Sequence, residues 1–198
     1  MDFLGIFNNK KEKKVKEETN KNVELVNEIT LEDINTFIYD FALPECCKID
    51  NMTTDMGYSF DLDDILNAVI AFSTGITLTC IDSLTLVQAK KIRKMIADKY
   101  NTLVDTRLQN KELGNPTEKR ANELKSNLLK NMEIAIKDAE DSYVKREAFI
   151  DNGISDHLIE AFASKDYIDK LTVYMNKIVV VDWFKPINTV FKNIKIVE

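Results

Sequence analysis

Apolar positions recur at helical intervals through most of the chain, and the two longest such runs are neighbours in its middle. From Thr85, whose spacing to Gln88 is that of a capping box, Val87, Ile92, Met95, Ile96, Tyr100, Leu103, Val104 and Leu108 follow one helical face. Gly114 then ends one helix, Asn115 caps the next and Pro116 sits in its first turn. The second run continues without a breaker to Gly153. Its seam is Ala121, Leu124, Leu128, Met132, Ala135, Ala139 and Tyr143, six steps over 22 residues. That average of about 3.67 residues per step belongs to a straight helix rather than a left-handed heptad coil. The pattern predicts a long antiparallel helical hairpin over about 85–152, with arms of roughly 40 and 50 Å at 1.5 Å per residue. Its charged outer faces suggest that the far end projects or meets a neighbour.

The flanking segments are shorter. Thr30 can cap a helix whose stripe is Leu31, Ile34, Ile38 and Phe41 and which Pro44 closes. Residues 46–60 show no sustained period and read as a loop or irregular strand. Ser59 or Asp61 caps a second helix, with Leu62, Ile65, Leu66, Val69, Ile70 and Phe72 on a wide apolar face and Gly75 as its stop. The β-branched stretch Ile76–Ile81 reads as a short strand or an extended connector. Two helices begin at Ser155 and Ser164. The stretch 177–197 then reads as a β-hairpin turning at Lys185 and Pro186, because Val190, Lys192, Ile194 and Ile196 alternate with their neighbours. The expected fold is mainly α: a long hairpin on a small helical base, a minor C-terminal β-hairpin, and an extended N-terminal arm. One α-rich domain covers residues 29–198 and the arm covers 1–28.

That arm has a distinctive order: the apolar residues Phe3, Leu4, Ile6 and Phe7 come first, and the mixed-charge run NNKKEKKVKEE follows. Asp2 comes first, the apolar bead is short and the lysines follow it, which is the wrong order for a secretory signal. Three readings remain, a disordered tail, a peripheral membrane tip and a docking plug on a tether, and the plug is favoured.

Composition narrows the functions. With 198 residues, 44% of them hydrophobic and 30% charged, the chain has material for a sizeable core. A net charge of −6 and only four arginines among 27 basic residues disfavour nucleic acid as the main partner. Lys90, Lys91, Arg93 and Lys94 nonetheless make one helix face basic, and a regulatory protein engaging a protein or nucleic acid through that face is the alternative reading. Cys46, Cys47 and Cys80 form no CxxC pair and suit a reducing, cytoplasmic setting. No uninterrupted apolar stretch reaches the ~18 residues of a membrane span.

Candidate chemistry is sparse. His157 is the only histidine; with Glu160 it makes one H-x-x-E pair, where a di-iron bundle needs two such units. The acidic cluster Asp50, Asp55, Asp61, Asp63 and Asp64 matches no calcium-loop register and is better explained as helix capping. No phosphate-binding glycine motif occurs. No catalytic, metal or cofactor residue is therefore nominated. The nominated residues are interface ones: Phe3, Leu4, Ile6 and Phe7 in the arm, and Trp183, Phe184, Val190, Ile194 and Ile196 at the C-terminal end, where Trp183 and Phe184 could equally plug the base of the helical hairpin. The expectation is a non-enzymatic structural or assembly subunit that forms homo-oligomers through the hairpin and clasps other protein subunits with its terminal arms. In outline this is similar to small subunits of large assemblies, including neck, ring or connector proteins of tailed phages, which would place it in the cytoplasm or the virion. That likeness is architectural.

Overall fold

The computed structural model describes residues 27–110, 115–144 and 153–197, and they are mainly helical. The organising element is a helix running Leu62–Cys80, called α2 with α1 as Leu31–Asp55 before it. Every residue of α2 from Asn67 to Leu78 is buried. A helix apolar on all sides belongs inside a protein or a membrane. Among the described residues α2 alone has the length and hydropathy of a membrane span, and 72% of that window is buried by the rest of the chain. Around it pack α1, α4 (Glu118–Val144), α5 (Gly153–Phe162) and α7 (Lys185–Phe191), with α4 in the most extensive contact.

The closeness of α2 to α4 has one local cause. A Cβ added at Gly75 would lie 2.6 Å from the Ala135 carbonyl carbon and 2.9 Å from its Cβ. Gly75 is therefore the place where two backbones touch, and not the helix stop its type suggests. The β-branched residues after it continue the helix to Cys80, because burial on every side outweighs their modest strand preference.

The predicted hairpin is present. Helix α3 (Leu86–Gln109) starts with a complete Thr85–Gln88 capping box. Ala121, Leu124, Leu128, Met132, Ala135 and Ala139 of α4 are all buried, while Tyr143 and Gly114 fall outside the residues described for side chains. Arg93 meets Glu133 at 3.6 Å and Asp105 meets Lys125 at 2.5 Å, so the two helices run antiparallel. The cap of α4 lies two residues later than expected: the Thr117 hydroxyl, not Asn115, accepts from the Arg120 backbone N–H at 3.2 Å. Nor does the turn end stand free. Arg107 reaches Asp63, and Arg120 reaches Asp61 and Asp64 at 3.1 and 2.8 Å, clamping both hairpin arms to the start of α2.

Helix α1 runs straight through Pro44 and through half of the expected loop. Pro44 and Asp40, whose carbonyl loses its helical partner, are both exposed, so water can satisfy that oxygen. The true stop is Gly57 at φ +81°. The Gly57 N–H donates to the Thr54 carbonyl and the Tyr58 N–H to that of Thr53, both at 2.9 Å, which is the Schellman pattern.

The C-terminal β-hairpin is not formed. Helix α6 (Ile168–Lys177), a π-helical turn over Ile178–Phe184 and α7 make one continuous helical run. Its buried stripe is Leu171, Met175, Val179, Trp183, Ile187 and Phe191, every fourth residue. A strict spacing of four overruns the 3.6-residue turn by about 40° per step. The looser π turn absorbs part of that drift, and it lies just before Pro186, which has no N–H for an α-helical bond. Only Ile194–Ile196 is a strand, β2, and it pairs in parallel with β1, Asn27–Ile29. The strand pair therefore joins distant parts of the chain. Ser83 after α2 secures it, donating to the Ile194 carbonyl at 2.8 Å.

One buried polar network runs through the core, while the buried Thr77 and Ser155 hydroxyls have no hydrogen-bond partner among the described residues. Asn67 donates to the Tyr100 hydroxyl at 3.1 Å and to the Leu124 carbonyl at 2.8 Å, while its own oxygen accepts from Asn131 at 3.2 Å. Burial pushes the Tyr100 hydroxyl from about 10 up to about 12 and the Cys80 thiol from about 9 to about 12. Tyr39, donating to the Ile96 carbonyl at 2.8 Å, is raised further by the same cause.

Two outcomes follow from this packing. Gly75→Ala should lower stability by ~1–3 kcal/mol through overpacking, reversing the ~1 kcal/mol gain alanine gives in an open helix; urea unfolding measures it. The raised phenol and thiol groups favour the folded state while they stay protonated, fully so below their unfolded values near 9–10. As pH rises from there through about 12 that contribution is lost, so the urea midpoint should fall across this window and fall less in Tyr100→Phe.

Candidate docking surface

Three large apolar side chains that the core does not bury converge from three helices. Leu43 of α1 is 55% exposed, Leu62 of α2 51% and Leu103 of α3 41%. With Cys46, Cys47 and Leu66 they line a trough of about 620 Å³. Asp63 and Arg107, joined as an ion pair, form one rim. The trough lies where α1 packs on both α2 and α3, beside the Arg107 and Arg120 ion pairs that tie the hairpin to the start of α2.

A second, more open trough of about 700 Å³ lies on the other flank of α1, lined by Pro44, Met52, Met56 and Tyr174, the last 49% exposed. Cys47 lines both, so α1 is the ridge that separates the two troughs, and Lys48, Asn51 and Asp55 make the second the more polar of the pair. The ridge is anchored from below. Glu45 accepts from the Trp183 indole N–H at 2.7 Å, and Lys48 lies between Glu45 and Asp182. Burial pulls the Lys48 ammonium down, but these two carboxylates outweigh it and leave it above its ordinary value.

The adjacent cysteines differ in kind. Burial, with the neighbouring Cys47, Asp50 and Asp63 adding to it, pushes the Cys46 thiol up to about 12, and its Sγ lies 3.8 Å from the Leu62 carbonyl. Cys47 is exposed on the trough wall.

Most residues singled out in the sequence lie elsewhere. Trp183 is fully buried, Ile194 and Ile196 are buried, and Phe184 and Val190 are half-buried; all pack in the chain's own core rather than on an exposed face. Phe41 and Trp183 make an edge-to-face contact at 5.9 Å. Phe3, Leu4, Ile6 and Phe7 lie outside the described residues. The acidic cluster is dispersed: Asp61 caps α2, accepting from the Asp63 N–H at 2.8 Å, Asp63 and Asp64 hold arginines, and Asp50 and Asp55 belong to α1. Asp64 stays above its usual value because burial outweighs the Arg120 guanidinium. His157 pairs with Asp138 at 2.7 Å rather than sharing a ligand with Glu160, which meets Lys165. Among the described residues no group of three acidic, histidine or cysteine side chains is placed to hold a metal. Lys90, Lys91 and Lys94 are exposed on α3, while Arg93 is engaged with Glu133.

The trough was absent from the sequence reading because Leu62 and Leu103 look like ordinary members of apolar stripes. The available signal was Leu43, which falls off the Ile34–Ile38 stripe beside an exposed proline. Comparison with protein-family models, with curated proteins and with solved structures finds no match to this chain.

Thiol chemistry reads this surface directly. At mildly alkaline pH, about 8, a chromogenic disulfide reagent should titrate one thiol per folded chain, Cys47, and all three cysteines in denaturant. Mass spectrometry of the modified peptide identifies the residue.

Proposed function

We infer that the chain is a non-enzymatic assembly subunit that presents the trough beside α1 to other protein subunits, first among them further copies of itself. The observation that carries this reading is the convergence of Leu43, Leu62 and Leu103 on one trough. Scattered exposed leucines need no explanation, whereas a contiguous apolar trough on a rigid base marks a place where another surface sits. Filling it contributes roughly 1.5–3 kcal/mol per large side chain fully buried. The trough floor is helix on helix, pinned by the Arg107–Asp63 and Arg120–Asp64 pairs, so little ordering cost is left for the moment of binding. A ring or connector position, as in the neck of a virion, suits a subunit of this outline.

Light scattering across a concentration series tests it. The wild-type chain should gain mass as its concentration rises from micromolar towards millimolar. Leu43→Asp/Leu103→Asp should remain monomeric with unchanged helix content and melting temperature. Equal masses for both proteins throughout the series would remove the trough as the self-association surface.

A further inference from the structure

Helix α3 carries an apolar surface at each end. Its first turn exposes an adjacent pair, Leu86 at 72% and Val87 at 64%, on a turn fixed by the Thr85–Gln88 capping box. Its later turns contribute Leu103, Thr106 and Arg107 to the trough. Val173 and Tyr174 on α6 make the other exposed apolar pair, but Tyr174 lines the second trough of its own chain. Leu86 and Val87 therefore form a knob with nothing of their own chain to cover it.

Distance and direction decide what that knob can meet. Leu86 lies 17 residues before Leu103 on the same helix, about 26 Å along its axis at a rise of ~1.5 Å. Knob and trough belong to one helix, so no motion of the chain brings them together. A second copy must supply each. At about 100° per residue, Leu86 is turned about 100° from Leu103 around the α3 axis and Val87 about 160°. A two-fold pair needs each copy to offer its knob and its trough to the same neighbour. Surfaces turned this far apart offer them to different neighbours. Each contact is then head-to-tail, and successive copies build a ring or an open row.

The charges agree. Lys90, Lys91 and Lys94 are exposed behind the knob, and Asp82 is the one carboxylate in residues 82–97. At the trough, Asp63 and Arg107 neutralise each other, and the Lys99 ammonium lies over the Tyr39 ring at 4.4 Å. Asp40 is exposed three residues before Leu43, as Lys90 is exposed three residues after Val87. An apolar pair with a lysine one turn away thus faces an apolar trough with a carboxylate one turn away.

We propose that Leu86 and Val87 of one copy seat in the Leu43–Leu62–Leu103 trough of the next, with Lys90 against Asp40, so that the chain assembles head-to-tail. The proposal rests on the trough being the docking surface and names what fills it. Each subunit gives a knob on one side and receives one on another, which is the contact a ring requires.

Mixing two variants tests it. Leu86→Asp/Val87→Asp removes the knob and keeps the trough, while Leu43→Asp/Leu103→Asp removes the trough and keeps the knob. All four residues are exposed, and carboxylates in the first turn of α3 suit its dipole, so both variants should keep the wild-type circular dichroism and urea midpoint. By light scattering each alone should need about tenfold more protein than wild type for half-association, or more. An equal mixture should give a pair of twice the monomer mass and nothing larger, since one knob and one trough are intact and they fill each other. Lys90→Glu should weaken wild-type association, and adding Asp40→Lys should restore it. Monomers in the mixture, where wild type associates, would overturn the proposal. Undiminished association of Leu86→Asp/Val87→Asp would do the same, leaving the trough to another occupant. Failure of the docking reading shows separately, as equal masses for wild type and Leu43→Asp/Leu103→Asp.

Discussion

The burial of α2 on every side constrains everything around it. A helix with no solvent face needs neighbours all round, and a single chain of this size must supply them from distant segments. The closest of those contacts is backbone against backbone, at Gly75 and Ala135. Because α4 can approach that far, its buried seam of alanines and leucines packs closely along α2, and α3 is carried along as the other arm of the hairpin. Polar groups inside α2 then have to be satisfied internally. Asn67 does so by linking α2 to both hairpin helices at once, through Tyr100, Asn131 and the Leu124 carbonyl. A buried network of this kind fixes register as well as distance, since a slip of either helix would orphan the amide.

The start of α2 is as constrained as its middle. Asp61, Asp63 and Asp64 gather there because carboxylates favour a helix N-terminus, and they in turn hold Arg107 and Arg120 from the two sides of the hairpin turn. The trough is the by-product of that arrangement. With α1 packed on both α2 and α3, Leu43, Leu62 and Leu103 are left outside the core where the three helices meet. The carboxylates at the start of α2 thus bear on the trough through the arginines they hold, and contribute only Asp63 to its rim.

Much of the hairpin was legible because a seam of small and apolar residues with a 3.67-residue period has one structural meaning, and Thr85 with Gln88 marks where its first helix begins. The errors have a common cause. Ile76–Ile81 and Ile178–Val181 are rich in β-branched residues, and intrinsic preference pointed to strands; near-complete burial in the first and a four-residue stripe through Trp183 in the second decided for helix. The stripe Leu171–Met175–Val179–Trp183–Ile187–Phe191 was present in the sequence, but Pro186 drew the eye to a turn. Pro44 misled in the same way. A proline on an exposed helical face costs less than one in the interior, and sequence alone does not say which face is exposed until the partner helices are placed. The trough is the hardest feature to read, since it is defined by residues that three separate stripes leave over.

The parallel pair of β1 and β2 bears on the order of events during synthesis. Lys195 reaches back to Glu28 across 167 residues, and Asn27–Ile29 finds its only strand partner in Ile194–Ile196 among the described residues. As the chain leaves the ribosome, β1 emerges early and waits unpaired while every helix is made. Contacts so far apart in sequence are late by their nature, because the loop they close is nearly the whole chain. The root of α1, where β1 leads into it, is therefore fastened last, after the helical core has formed around α2.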